Sequence, residues 1–362
     1  MRNLYRYQNP AFFRKNLRWY IYNYILKKNS PVESNLFITN QCNYRCWFCR
    51  IWASKEKGYM DFKTFKKVVN YLSLSSYWLN IVGGEPFINP EFPKYIDYLH
   101  HKIPLVNIVT NGFFVNEKIL KKIKFPPTNI SISIDAIGKK HNQNRGNRYA
   151  FQKAISAIKT CQKIIPSTWI TISAIIDPEN VDESQKLLKL VEKFNIHLIF
   201  QPLRRPIDPN FKTSLKSQPY YKNYSKKQLQ KLINFLFKIL NHPLIENSKE
   251  YLLSIPFYYM GEKIYLQKEK CLLAIFQTDF NYKGEAFPCI HGVHWKGGID
   301  IDDENFSKKL YKLSQKNSRL CHYCDRDFFN MENRMYFPLH IYLKSKLVRP
   351  WLIKKLKNFL RS

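Results

Sequence analysis

The sequence predicts an α/β fold in which a parallel sheet comes first and a smaller unit follows. Strand-like runs near 36–39, 79–83, 106–110, 130–134, 169–176 and 196–201 alternate with helical patterns at 61–73, 149–164 and 181–194. Helices between strands on this scale imply parallel crossovers, six β/α units in all. The rhythm breaks after about residue 205, where the run Arg204-Arg205-Pro206-Ile207-Asp208-Pro209-Asn210 marks a connection before a helix near 225–240.

The first strand-like run leads directly into Cys42-Asn43-Tyr44-Arg45-Cys46-Trp47-Phe48-Cys49. Three thiolates on one short loop can hold three irons of a cubane and leave the fourth iron without a protein ligand, whereas a closed zinc site takes four ligands. A zinc knuckle is the competing reading of the loop alone. The spacing, with aromatic Phe48 just before the last cysteine, resembles the radical S-adenosylmethionine (SAM) superfamily. That resemblance implies an open (β/α)6 partial barrel and a [4Fe-4S] cluster on Cys42, Cys46 and Cys49. It also implies SAM on the open iron, and reduced ferredoxin or flavodoxin as electron donor.

Residues farther along fit the same resemblance. Ile81-Val82-Gly83-Gly84-Glu85-Pro86 reads as a buried strand entering a glycine turn, where missing side chains allow close approach to the backbone. In the family such a turn meets the SAM amino group, which marks Gly83, Gly84 and Glu85. The next strand-like runs end at Thr110-Asn111-Gly112 and at Ser133-Ile134-Asp135, and Arg145-Gly146 follows. The resemblance makes Thr110, Ser133, Asp135 and Arg145 SAM contacts; on their own, Asn-Gly turns and strand-capping Ser or Asp are common. Ligands in such sheets gather at the carboxyl ends of strands, where all these residues fall.

Four more cysteines, Cys271, Cys289, Cys321 and Cys324, lie beyond the connection, with Gly284 between the first two. They resemble the twitch form of the SPASM auxiliary domain, a hairpin and short helix that hold one auxiliary [4Fe-4S] cluster. Tetrahedral zinc is the rival for this set. His291, His294 and His322 are read as solvated or supporting groups, and Cys161 as a small buried hydrophobe. No general acid or base is singled out among His291, Asp279 and Asp325. Tyr258, Tyr259, Trp295 and Tyr323 are candidates to line a substrate cavity.

The expected organisation is a basic amphipathic segment 1–32, a barrel 33–205, a helical connection 206–264, an auxiliary cluster domain 265–332 and a basic amphipathic segment 333–362. The formal net charge is +32; residues 1–32 hold seven Lys or Arg and 333–362 hold eight, with no acid in either. Trp351, Leu352, Leu356, Phe359 and Leu360 form an apolar helical stripe flanked by lysines, too short and too broken to span a bilayer. Segments of this kind can lie on anionic lipid, pack on the protein itself, or grip nucleic acid, in that order of preference here. The cysteine usage suits a reducing cytoplasm, so the expected location is cytoplasmic, at the inner face of the cell membrane.

Joined, these readings give an enzyme that cleaves SAM to a 5'-deoxyadenosyl radical and abstracts hydrogen from an unactivated C–H bond. The expected substrate is a membrane lipid or isoprenoid chain undergoing C–C bond formation. The alternative is a peptide maturase that forms thioether or C–C crosslinks. It is disfavoured because residues 1–35 are too few for a leader-binding module before the barrel.

Overall fold

A computed structural model describes residues 10–203, 223–260, 277–288, 298–320 and 339–361. After helix α1 (Pro10–Tyr20) and a π-helical turn, six strands follow: β1 (Glu33–Phe37), β2 (Trp78–Val82), β3 (Leu105–Thr110), β4 (Asn129–Ser133), β5 (Trp169–Ile176) and β6 (His197–Pro202). They pair in parallel in the order β6-β5-β4-β3-β2-β1. Between them run α2 (Phe62–Ser73), α3 (Phe92–Leu99), α4 (Glu117–Leu120), α5 (Lys139–Arg145), α6 (Ala150–Ile164) and α7 (Val181–Phe194). The expected open (β/α)6 partial barrel is present.

Its local causes are plain. Helix α2 starts where the Asp61 side chain accepts the Thr64 N–H at 2.9 Å, and it buries Phe65, Val68, Val69 and Leu72, one stripe at helical spacing. Helix α7 carries Asp182 and Glu183 in its first turn and Lys193 in its last, matching the helix dipole, and stops at left-handed Asn195. Along the strands, Leu36, Leu79, Ile81, Ile108, Ile130, Ile132 and Ile172 face the helices and form the main core.

The opposite face carries a row of amides in register. Asn35 pairs with Asn80, Asn80 with Asn107, and Asn107 with Asn129. Their side chains bond in sequence: Asn80 Nδ2 donates to Asn35 Oδ1 at 3.0 Å, Asn107 Nδ2 to Asn80 Oδ1 at 2.9 Å, and Asn129 Nδ2 to Asn107 Oδ1 at 2.5 Å. Thr171 Oγ1 extends the row to β5 by donating to Asn129 Oδ1 at 3.0 Å. At the other end Asn35 Nδ2 donates to Asp279 Oδ1 at 2.9 Å.

Asp279 belongs to β7 (Gln277–Phe280), which pairs in parallel with β1. The antiparallel strands β8 (Glu285–Phe287) and β9 (Ile299–Asp300) follow, making a nine-stranded sheet. The β7-β8 hairpin turns through Gly284 at φ +89°. Strands from the region expected to form a separate small unit therefore continue the barrel's own sheet. Asp279, weighed from sequence as a general acid or base, is fully buried in the amide row. Cys271, Cys289, Cys321 and Cys324 lie outside the described residues.

Helices α8 (Lys226–Ile239), α9 (Lys249–Met260), α10 (Phe306–Leu320) and α11 (Leu339–Arg361) complete the chain. Here the reading of the C-terminal stripe as a lipid-facing surface needs correction. Leu352 and Leu356 are buried against Ile233, Leu253 and Phe257, with Phe359 packed alongside. Trp351 stacks on Phe257 at 6.0 Å with Lys355 near both rings, and Arg349 pairs with Glu250. Leu352 and Leu356 leave water by covering α8 and α9, while Trp351 stays partly exposed. No described helix is long and apolar enough to cross a membrane.

Candidate active site

The cysteine loop is fastened where β1 runs out. Gly84 N donates to Thr39 O at 2.8 Å and Glu85 N to Gln41 O at 2.7 Å, stitching the turn after β2 to the entrance of the loop. A Cβ on Gly83 would overlap the Thr39 carbonyl, and one on Gly84 the Gln41 carbonyl. Gly83 also sits at φ +140°. The side-chain space at both glycines is thus taken by the chain's own backbone. The demand for glycine comes first from this contact between strand ends, where the sequence suggested a ligand.

On the far side the loop is held by the end of α5. Arg45 N donates to Arg145 O at 3.2 Å and Trp47 N to Asn144 O at 3.3 Å. Gly146, left-handed at φ +59°, lets the helix end approach so closely that a Cβ would overlap Arg45 O. The Arg145 guanidinium lies 5.1 Å from the Phe48 ring centre and 4.0 Å from Cys46 Sγ. Its Nε is 2.7 Å from Asp135 Oδ2. Burial opposes the arginine's charge, but Asp135 and the Cys46 sulfur more than offset this and hold it protonated. One cation thereby serves the loop and the end of β4 together.

Cys42, Cys46 and Cys49 are free thiols, Cys46 buried and the others half-buried, beside Tyr44, Phe48 and Phe113. Burial raises all three above an ordinary thiol, Cys42 to about 12, so a bound metal must itself draw off the protons. Among the described residues no group of three His, Cys, Asp or Glu is set to hold a single metal ion. A cubane instead takes one thiolate at each of three corners. Soft thiolates, an adjacent Arg145 and a largely dry surround fit an iron-sulfur cluster, whose potential depends on charge, hydrogen bonds and exposure.

Glu85 stands one step behind the loop, fully buried. Thr110 Oγ1 donates to its Oε1 at 2.7 Å, Phe87 N to the same oxygen at 3.2 Å, and Asn111 N to Oε2 at 2.7 Å. Burial pushes this carboxyl up to about 7 in spite of those three donors. Asn111 Nδ2 also bonds Asn43 Oδ1 at 2.8 Å, tying the carboxylate's support to the loop. Asp135 N donates to Nδ1 of fully buried His141 at 3.2 Å, and Ile175 N donates to Asp135 Oδ1 at 3.1 Å. Burial and Arg145 lower His141 to about 3, so the ring is neutral.

The structure thus brings Cys42, Cys46, Cys49, Phe48, Gly83, Gly84, Glu85, Thr110, Asp135 and Arg145 to one end of the sheet, with Ser133 closing β4 there. A cavity of about 160 Å³ opens beside them, lined by Trp47, Phe48, Asp135 and Ile175 among others. Asn111 and His141 were missed as functional supports. Asn111 was legible only as an Asn-Gly turn, and nothing in the sequence marks His141. Tyr259 OH donates to Ile176 O at 2.6 Å and accepts from Leu203 N at 2.7 Å, which pins the exit of β6.

Residues 36–191 match the family model for the radical SAM superfamily. The chain carries a radical SAM catalytic domain. A SAM-binding [4Fe-4S] cluster belongs to that domain, and β7 to β9 with the later helices form an additional α/β region after it. Among curated relatives, the antilisterial bacteriocin subtilosin biosynthesis protein AlbA of Bacillus subtilis is 28% identical over 134 residues, 36% of this chain and 30% of that protein. The chain spans less than half the length of the curated relatives it matches first.

Two solved radical SAM structures extend the likeness. Native anSMEcpe with bound AdoMet and Cp18Cys peptide is 19% identical with a TM-score of 0.54, covering 91% of this chain and 99% of that one. Streptococcus suis SuiB bound to precursor peptide SuiA is 14% identical with a TM-score of 0.53, covering 84% and 67%. At these identities the likeness establishes the fold alone. The expected partners are overturned here: anSMEcpe and SuiB are bound to peptides. No lipid or membrane partner is among them, and the helix assigned to that role is packed on the protein.

Proposed function

We propose that this protein is a peptide-modifying radical SAM enzyme that forms thioether or C–C crosslinks. The observation that carries the reading is the pairing of this active-site end with an additional α/β region in a chain that aligns along nearly the whole of peptide-bound anSMEcpe. Cys42, Cys46 and Cys49 would hold the [4Fe-4S] cluster, leaving its fourth iron open to SAM. When bound, SAM with that cluster supplies a 5'-deoxyadenosyl radical that takes a hydrogen atom from the substrate.

The chain's own residues prepare the site. Thr110 and the Asn111 N–H aim the Glu85 carboxylate, which would meet the SAM ammonium group. Arg145 bridges Asp135 and Cys46, fixing the distance between the end of β4 and the loop. Phe48 and Trp47 wall off water on the cavity side. A crosslink removes two hydrogens from the peptide, one as an atom and the other as a proton plus an electron. That second electron needs an acceptor, and Cys271, Cys289, Cys321 and Cys324 are assigned to an auxiliary [4Fe-4S] cluster for it.

The test is anaerobic reconstitution with SAM, a strong reductant and a panel of cysteine-containing peptides, followed by mass spectrometry. The expected result is 5'-deoxyadenosine together with a peptide lighter by two hydrogens, both absent in the Cys42→Ala, Cys46→Ala, Cys49→Ala triple variant. Undiminished SAM cleavage by that variant would refute the site. Cleavage with the peptide always left unchanged would refute the substrate class.

A further inference from the structure

A second concavity lies at the opposite end of the barrel, where the chain enters β3 and β4. It encloses about 340 Å³ between α1, the end of α3 and the segment before β4, with Arg14, Lys15, His100, His101, Phe125 and Thr128 in its wall. That volume is in the range of small-molecule sites. The wall contains no Asp or Glu. Nothing in the radical SAM site reaches it.

Its most telling residue is Lys15, only 8% exposed. The ammonium donates to two backbone carbonyls, Ser73 O at 2.7 Å and Lys102 O at 3.4 Å. No carboxylate among the described residues compensates its charge, and its charged neighbours on α1 are Arg14 and Arg18. An ammonium has three donors, and among the described residues only these two carbonyls accept from it. Burial first, then the two arginines, lower its pKa to about 8. A buried cation whose nearest charges are also cations is a site prepared for an anion.

Two further features point the same way. His101 is held left-handed at φ +63°, a conformation that glycine would adopt without strain. Strain kept at a cavity wall is an observation that invites a functional reading. The neighbouring His100 ring stacks on Phe125, centroids 3.9 Å apart and planes within 5°, giving a flat aromatic wall. Lys102 plays no part through its side chain, which turns away to Asn70 Oδ1 at 3.2 Å and over Tyr98.

We propose that this cavity binds a small phosphorylated molecule, with Lys15, Arg14 and His101 around the phosphoryl group and a ring of the ligand against the His100–Phe125 wall. The two cations Lys15 and Arg14 together suit a dianion better than a single carboxylate.

The experiment is calorimetric titration of the holoenzyme, its SAM site saturated with SAM, using inorganic phosphate and then adenosine monophosphate. Wild-type protein should bind phosphate, and the nucleotide more tightly. Arg14→Ala and His101→Gly should each weaken binding about tenfold, the scale of one lost charge-assisted contact. His101→Gly should do so with an unchanged or raised melting temperature, which separates lost binding from damaged folding. Arg18→Ala, on the same helix but outside the wall, should leave binding intact. Absence of phosphate binding at millimolar concentration would overturn the proposal. So would equal weakening by Arg18→Ala, which would mean general attraction to a basic surface, or unchanged affinity in both Arg14→Ala and His101→Gly. Equal affinity for phosphate and nucleotide would overturn the role given to the aromatic wall.

Discussion

Replacing Thr110 with Val removes the hydroxyl that donates to Glu85 Oε1 at 2.7 Å while keeping the side chain's shape. The carboxyl is fully buried, and its pKa is raised by burial from 4.5 to about 7. Because the folded value lies above the unfolded one, the folded state holds this proton more tightly. Stability from this group is therefore greatest below pH 4.5, falls as pH rises towards about 7 and is flat above. The rise from 4.5 to about 7 corresponds to about 3 kcal/mol. A hydrogen bond to a charged group contributes about 1.5–3 kcal/mol and one to a neutral group about 1. Thr110→Val should thus cost about 1–2 kcal/mol more at pH 8.5 than at pH 5.5. Loss of the Gly112 N–H bond to the same hydroxyl, at 3.0 Å, adds a term that does not vary with pH. Anaerobic urea denaturation of wild type and variant at both pH values measures the difference. Equal costs at the two pH values would refute the account of Glu85 as a carboxylate held in a dry site by Thr110.

Other outcomes follow from the same geometry. Gly84→Ala drives a methyl into the Gln41 carbonyl and should cost about 1–3 kcal/mol or more, seen as a lower melting temperature and loss of cluster from the reconstituted protein. Asp135→Asn leaves Arg145 buried beside Cys46 without its carboxylate; a loss of about 3–5 kcal/mol is expected by denaturation, whereas a neutral result would mean the pair is more hydrated than its burial indicates. Leu352→Ala opens the contact between α11 and α9 and should cost about 2–5 kcal/mol, read as earlier proteolysis of the C-terminal helix.

Strands and helices were legible because period and length agreed: 169–176 and 181–194 recur with their bounds unchanged, since β-branched runs and an amphipathic stripe leave one solution each. The cysteine loop and the strand-end residues were legible as a pattern, because their spacing is set by the sheet that carries them. What the glycines do was not. A Gly-Gly turn looks alike in sequence whether a ligand or another backbone comes close, and only the position of Thr39 and Gln41 decides it. The C-terminal stripe shows the same ambiguity. Leu352 and Leu356 would have the same spacing on a lipid surface as on α9, and the partner that buries them is over ninety residues away in sequence. His141 was invisible because it acts through a ring nitrogen that receives a backbone N–H, a role with no spacing of its own.

The amide row from Asp279 to Thr171 acts as a registration key. Neighbouring strands lie about 4.8 Å apart, so side-chain amides at one level form a second ladder beside the backbone's. Sliding any strand by one residue would turn its amide to the helix side and leave two partners unsatisfied in a buried layer. Backbone pairing alone tolerates such slips; this ladder does not. Since β7 joins it through Asp279, the later hairpin is indexed against β1, the strand that delivers Cys42. The β7-β8 hairpin is therefore measured from the same origin as the radical site. A change at Asn35 or Asp279 should be felt as a change in the spacing between the cysteine loop and the β7-β8 hairpin.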